Sequence, residues 1–279
     1  HRAHHAVNDR YLDKNYGGIL IVWDRLFGTF VEEDDREPCV YGTRGLLASW
    51  DPLWANVQVY ATLARDSWHA RRWRDKLLVW LKPPGWRPAD VAARFPKPAF
   101  ELAQMTLFNP AMTRAQRWFA GAQFVLLLAG VSVFLWHADS APLADNLLWF
   151  AVLLVCQWAL GAAMQGRLTM LEALMIEAGA LATASAALGL AEWHYIAKPA
   201  AMIFAMAAVA VRTYPSRAEG NFRSHSSGWL LLALLGSLAG DLFLMVAGFF
   251  IPGLVSFLLA HLCYIVLFRR DAPWFAHRG

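Results

Sequence analysis

Residues 118–136 read WFAGAQFVLLLAGVSVFLW, 19 positions without a formal charge. That is the length an α-helix needs to cross the hydrocarbon of a bilayer. Residues 146–166, NLLWFAVLLVCQWALGAAMQG, form a second such run. A third covers roughly 171–191, Ala- and Leu-rich after Glu172 and Glu177, and a short fourth covers about 198–212, opening on Lys198-Pro199. Residues 229–248 and 250–268 supply a fifth and sixth, joined by a tight turn near Pro252-Gly253. Trp118, Trp136, Trp149, Trp193 and Trp229 stand at or near the ends of these runs, where interfacial aromatics belong. The pattern predicts an all-α, polytopic membrane protein with about six transmembrane helices and an N-terminal cytoplasmic, membrane-associated region.

Composition agrees. Hydrophobic residues make up 58% of the 279 and charged residues 16%, against roughly 45–50% and about 25% in soluble domains. A disordered chain, a nucleic-acid-binding arm and an ordinary soluble domain are excluded. Residues 1–117 carry 17 Lys and Arg with 13 Asp and Glu, while the longer remainder carries 8 of each. Cys39, Cys156 and Cys263 stand singly, which argues against disulfides and against a thiolate metal site. Residues 137–144 and 249–253 hold no Lys or Arg, whereas Arg167, the loop with Arg212, Arg217 and Arg223, and the tail with Arg269, Arg270 and Arg278 are basic. The bias toward cytoplasmic Lys and Arg puts residues 1–117 and every Arg-bearing loop on the cytoplasmic side. Lys198 alone falls on the other side, an exception that invites a functional explanation.

Between residues 50 and 90, Trp50, Trp54, Trp68, Trp73, Trp80 and Trp86 interleave with Arg65, Arg71, Arg72, Arg74, Lys76, Lys82 and Arg87. Beside six membrane spans, this reads as an amphipathic segment on anionic lipid rather than a nucleic-acid platform. The acidic run 32–37 reads as a solvated loop.

His1-Arg2-Ala3-His4-His5 is an HxxHH cluster. On an α-helix, positions i, i+3 and i+4 share a face, so three imidazoles can converge on a metal, and imidazole alone does not choose which. Solvated surface histidines or a tag remnant fit the same five residues. The segment that follows, HRAHHAVNDRYLDKNYGGILIVWDRLFGTF, resembles the last histidine box and adjoining residues of the fatty acid hydroxylase/sterol desaturase superfamily. Asp13-Lys14-Asn15-Tyr16-Gly17-Gly18 and Trp23-Asp24-Arg25-Leu26-Phe27-Gly28-Thr29-Phe30 are similar to its alkylglycerol monooxygenase branch, as are Tyr41-Gly42 and the helices from Gln123 to about Leu190.

The resemblance implies a membrane di-iron oxygenase that inserts one atom of O2 into a C–H bond of a membrane lipid. In the alkylglycerol branch, hydroxylation beside the ether oxygen gives a hemiacetal that collapses to aldehyde and glycerol, with tetrahydropterin as electron donor. It implies His1, His4 and His5 as iron ligands. The two preceding histidine boxes have no counterpart, since His69, His137, His194, His225, His261 and His277 are scattered singly. The chain therefore reads as an internal fragment, inactive alone as an oxygenase. Asp13, Asn15 and Asp24 either orient the imidazoles or serve as turn and cap residues around Gly17-Gly18.

Two ionisable residues sit inside the last two apolar runs, Asp241 in SLAGDLFLM and His261 in FLLAHLCY. At 1.5 Å per residue they lie ~18 Å and ~16 Å from opposite faces of a ~30 Å core, so antiparallel neighbours would bring them to one depth. A buried Asp–His pair holding the helices together is the plain reading. Lys198-Pro199, Gly240-Asp241, Leu244-Met245 and the run from Gly248 through Gly253, Phe257 and His261 to Tyr264 resemble the lysoplasmalogenase-like membrane family. That family hydrolyses vinyl ethers without a metal; its later acidic motif is not present here. The resemblance implies Lys198, Asp241 and His261 in a polar catalytic pocket, with Asp241 as the acid.

The expected organisation is a C-terminal part of a hydroxylase domain at 1–117, oxygenase-like transmembrane helices at 118–192, and a partial lysoplasmalogenase-like domain at 193–279. The alternative functional readings are a sterol or fatty acyl hydroxylase, and a C-terminal region that only anchors.

Overall fold

A computed structural model describes residues 2–45, 47–83, 85–218 and 223–271. Their regular structure is helical, and among them extended pairing is limited to the isolated bridges Ala6–Tyr41 and Asp34–Glu37. The chain divides into two compact units, residues through 49 with 54–109, and residues 50–53 with 110–279.

The first unit contains α1 (Val22–Phe27), most of α2 (Pro52–His69), α3 (Trp73–Leu81) and α4 (Ala89–Arg94). Its opening segment is built around polar groups rather than oil. Tyr11 is fully buried; its hydroxyl donates to the Glu37 carbonyl at 2.7 Å and accepts from the Asp34 N–H at 2.9 Å. Asn15 pairs with both backbone groups of Val31, each at 2.8 Å, as a strand neighbour would. α1 ends at Gly28, whose φ of +71° is the left-handed cap conformation that glycine adopts without steric penalty. Further along, Arg87 grips the buried Asp66 carboxylate through two bonds of 2.7 and 2.9 Å. That guanidinium holds the Asp66 carboxyl below its ordinary range.

The second unit contains α5 (Arg114–His137), α6 (Leu143–Met164), α7 (Met170–Ala187), α8 (Ala191–Ala218), α9 (Arg223–Leu244) and α10 (Phe250–Asp271). Each includes a stretch long and apolar enough to cross a membrane. Thr113 with Gln116 and Thr169 with Glu172 form reciprocal caps that start α5 and α7. The helices pack through small residues: Ala159 and Ala163 meet Ala173, and Gly236 meets Ala260. Gly161 lies against the Trp50 carbonyl so closely that any side chain there would collide. Close backbone approach is how apolar helices gain packing energy where lipid is as oily as they are.

One boundary differs from the sequence reading. Lys198-Pro199 does not open the fourth span: α8 begins at Ala191 and runs through the pair. The preceding turns are anchored, because His194 Nδ1 donates to the Ala182 carbonyl of α7 at 2.9 Å. Lys198 is thus a residue of the helix interior, not of a loop.

Candidate functional site

His4 and His5 sit on a 3₁₀ turn, Ala3–His5, not on an α-helix. Three residues per turn stack positions i and i+3, and this suits Ala3 and Ala6, both buried against Tyr11. His4 and His5 are left on the exposed side, with ring centroids 5.4 Å apart at 77°. His4 Nδ1 lies 3.1 Å from the Lys14 carbonyl. A carbonyl only accepts, so Nδ1 carries the proton and Nε2 carries the lone pair. The Lys14 carbonyl is aimed by its neighbours, since Asp13 and Asn15 both adopt left-handed φ values of 54° and 53°. Tyr16 adds an edge contact to the His4 ring at 5.8 Å.

Asp24 lies 2% exposed and collects the Tyr16 N–H at 2.7 Å, the Gly17 N–H at 2.8 Å and the Thr29 hydroxyl at 2.7 Å. The Thr29 hydroxyl, then the two backbone donors, hold its carboxyl below the ordinary range. Asn15 and Asp24 thus act on turns; what reaches the His4 ring is the Lys14 carbonyl and the Tyr16 edge. His69 turns its Nδ1 onto the Arg65 carbonyl of its own helix. His1 lies outside the described residues. Among the described residues no group of three His, Cys, Asp or Glu gathers to hold a metal ion.

The second cluster lies in the later helices. Asp241 is buried on α9, and its carboxylate meets Lys198 Nζ of α8 at 2.8 Å. His261 does not reach it in this structure: it is exposed on α10, with Nδ1 on the Phe257 carbonyl at 2.6 Å and its ring edge toward Tyr264. Packing explains the choice. A Cβ at Gly240 would stand 2.7 Å from the Phe257 ring, so that ring fills the α9–α10 contact. Asp241, one residue and about 100° further round α9, turns to α8. Its partner is therefore a lysine where depth alone suggested a histidine.

A further polar pair, Gln123 buried and Glu177 half-buried, escaped the sequence reading. Gln123 of α5 donates to Glu177 Oε2 of α7, while Glu177 Oε1 is buried without a hydrogen bond among the described residues. The signal was available, because Glu177 stands within an apolar run and ionisable groups inside a membrane are functional candidates by default. Between α5 and α6 an apolar cleft of about 430 Å³ is lined by Trp50, Phe124, Leu128, Val131 and Leu160, with Gln157 as a polar group.

This chain is similar to alkylglycerol monooxygenases. Over 133 residues it is 33% identical to the Xenopus tropicalis protein, covering 46% of this chain and 29% of that one. The Danio rerio protein is 34% identical over 137 residues and the Homo sapiens protein 30% over 130, with 28% and 29% of their lengths covered. The chain spans less than a third of the curated relatives it matches. Residues 193–279 match the YhhN family, a segment that includes Lys198, Asp241 and His261. No solved structure matches.

Proposed function

We propose that this chain carries parts of two membrane-bound activities on ether-linked glycerolipids: an O2-dependent monooxygenase of the alkylglycerol type, and a vinyl-ether hydrolase of the lysoplasmalogenase type. The observation that carries the reading is the joint occurrence, on one chain with six membrane-capable helices, of alkylglycerol monooxygenase similarity and a YhhN match. The apolar α5–α6 cleft has the chemistry of an alkyl chain's surroundings.

In the oxygenase half, iron and a tetrahydropterin are what the resemblance implies, with His1, His4 and His5 as ligands. The described residues do not by themselves make an iron site. What the chain contributes is the Lys14 carbonyl, which fixes the His4 tautomer and leaves Nε2 for coordination. The basic loops favour placing this region on the cytoplasmic side.

In the hydrolase half, Asp241 and Lys198 handle the proton as a pair, the proton given to the lipid leaving the Nζ–H···Oδ1 bond between them and being restored from the attacking water, and His261 is the α10 member of the polar set. Vinyl-ether hydrolysis protonates the β-carbon, adds water to the resulting oxocarbenium ion, and releases aldehyde from the hemiacetal. A positioned acid contributes about 10²–10⁴-fold to such a step. In the natural polypeptide that carries these residues, Asp241→Asn is expected to lower aldehyde release from an alkenyl lysophospholipid by about 10² or more. His4→Ala is expected to abolish O2-dependent cleavage of alkylglycerol, with a fatty acid assayed alongside. Undiminished vinyl-ether hydrolysis in the first variant removes Asp241 from the chemistry. Fatty acid hydroxylation without alkylglycerol cleavage replaces the ether lipid by an acyl substrate.

A further inference from the structure

α3 wears its amphipathicity inside out. Trp73, Leu77, Trp80 and Leu81 are 81, 66, 48 and 79% exposed, while Val79 on the other side is buried. At about 100° per residue the four occupy one arc roughly 100° wide, the width of a face that packs against something apolar. Trp68, at the end of α2, is 82% exposed as well. Nothing about the helix is loose. Lys76 Nζ donates to the Ser67 and Trp68 carbonyls at 3.0 and 2.8 Å, and the Arg71 N–H reaches Asp90. The apolar face is therefore held outward by bonds that use up the polar side.

Cations flank the helix, with Arg71 and Arg72 before its first turn, Arg74 on it and Lys82 just after its last. Arg71, Arg72, Arg74 and Lys82 are exposed and form no ion pair among the described residues. Arg74 stands at one edge of the arc, and Lys76, 5.7 Å from the centre of the Trp73 ring, at the other. A rigid tryptophan-and-leucine ridge bordered by unpaired guanidinium and ammonium groups is complementary to a bilayer interface with anionic headgroups. The same chain supplies the bilayer, through six helices able to cross it.

We propose that α3 is an interfacial docking helix, which inserts Trp73, Leu77, Trp80 and Leu81 among the headgroups of an anionic lipid surface. Arg71, Arg72, Arg74 and Lys82 would then contact lipid phosphates and carboxylates.

The test uses the full chain in nanodiscs of phosphatidylcholine, with and without phosphatidylserine. Spin labels are placed singly by Leu77→Cys, Leu81→Cys and, as a solvated reference, Asp35→Cys in a background lacking Cys39, Cys156 and Cys263. The labels at 77 and 81 are expected to favour oxygen over a water-soluble nickel chelate several-fold more than the label at 35, and more strongly with phosphatidylserine. Arg71→Gln, Arg72→Gln and Arg74→Gln together should remove the phosphatidylserine dependence, each charge being worth about fivefold. Should the cysteine-free background fail to fold, quenching by brominated lipid is compared between the natural sequence and Trp73→Ala/Trp80→Ala, which should lose part of it. Equal nickel access at all three positions overturns the proposal. So does lipid-independent protection, which assigns the face to protein, and so does dipolar broadening between labels, which assigns it to a second copy.

Discussion

Buried positions between Asn8 and Val40 are held by Asn8, Tyr11, Asn15 and Asp24, whereas those in α5–α10 are held chiefly by alanine, with glycines at the closest approaches. In the first region order comes from directional bonds to particular backbone groups. In the second, backbones that are already satisfied within each helix need only approach one another. The two regions should therefore fail differently. A hydrogen-bonded knot loses several bonds when one acceptor is removed, while a helical packing loses contact in proportion to the bulk inserted.

Asp24→Ala should have the largest effect. It strands the Tyr16 and Gly17 N–H groups and the Thr29 hydroxyl, and limited proteolysis of residues 8–40 should accelerate by about a hundredfold, the loss of several charge-assisted bonds. The carboxyl's lowered pKa adds a pH signature. Its stabilising contribution is full above the unfolded value near about 4 and is lost as pH falls through the folded value. Asp24→Asn should lose that acid dependence, and unchanged acid sensitivity in Asp24→Asn would show that another group carries it.

Gly240→Val comes next, at about 2 kcal/mol, because its side chain meets the Phe257 ring. Denaturant unfolding in detergent should report it, and the α9–α10 contact should loosen while protease sensitivity at residues 8–40 stays unchanged. The smallest effect is Gly28→Ala, about 1 kcal/mol for a left-handed cap. It should register in the first unit's melting and leave the helices of the second alone.

Much of the fold was legible because a spanning helix announces itself by length and charge exclusion. The six apolar runs correspond to six helices, with ends shifted by a few residues. Proline misled at Lys198-Pro199, since that pair reads as a helix start, yet the anchoring of His194 on Ala182 carries α8 through it. Asp241, expected inside an apolar run, is buried in α9. Rotation was less legible: which neighbour Asp241 faces depends on Phe257 seating against Gly240. At the histidine cluster, i, i+3, i+4 spacing suggested an α-helical face, and the burial of Ala3 and Ala6 imposed a tighter turn. Most of the Asp24 and Asn15 bonds could not be read from spacing, because apart from the Thr29 hydroxyl their partners are main-chain groups set by turns seven to sixteen residues away.

The reciprocal caps at Thr113 and Thr169 have a consequence for how the protein sits in its solvent. At these two helix starts the threonine hydroxyl and the Gln116 or Glu172 side chain serve amides that would otherwise look to water or phosphate. α6 starts at Pro142 without such a side-chain bond. At α5 and α7 the amide that the threonine serves keeps its partner whatever solvates the helix end; at α6 the Pro142 cap supplies no side-chain partner, and the first-turn amides are left to water or lipid headgroups.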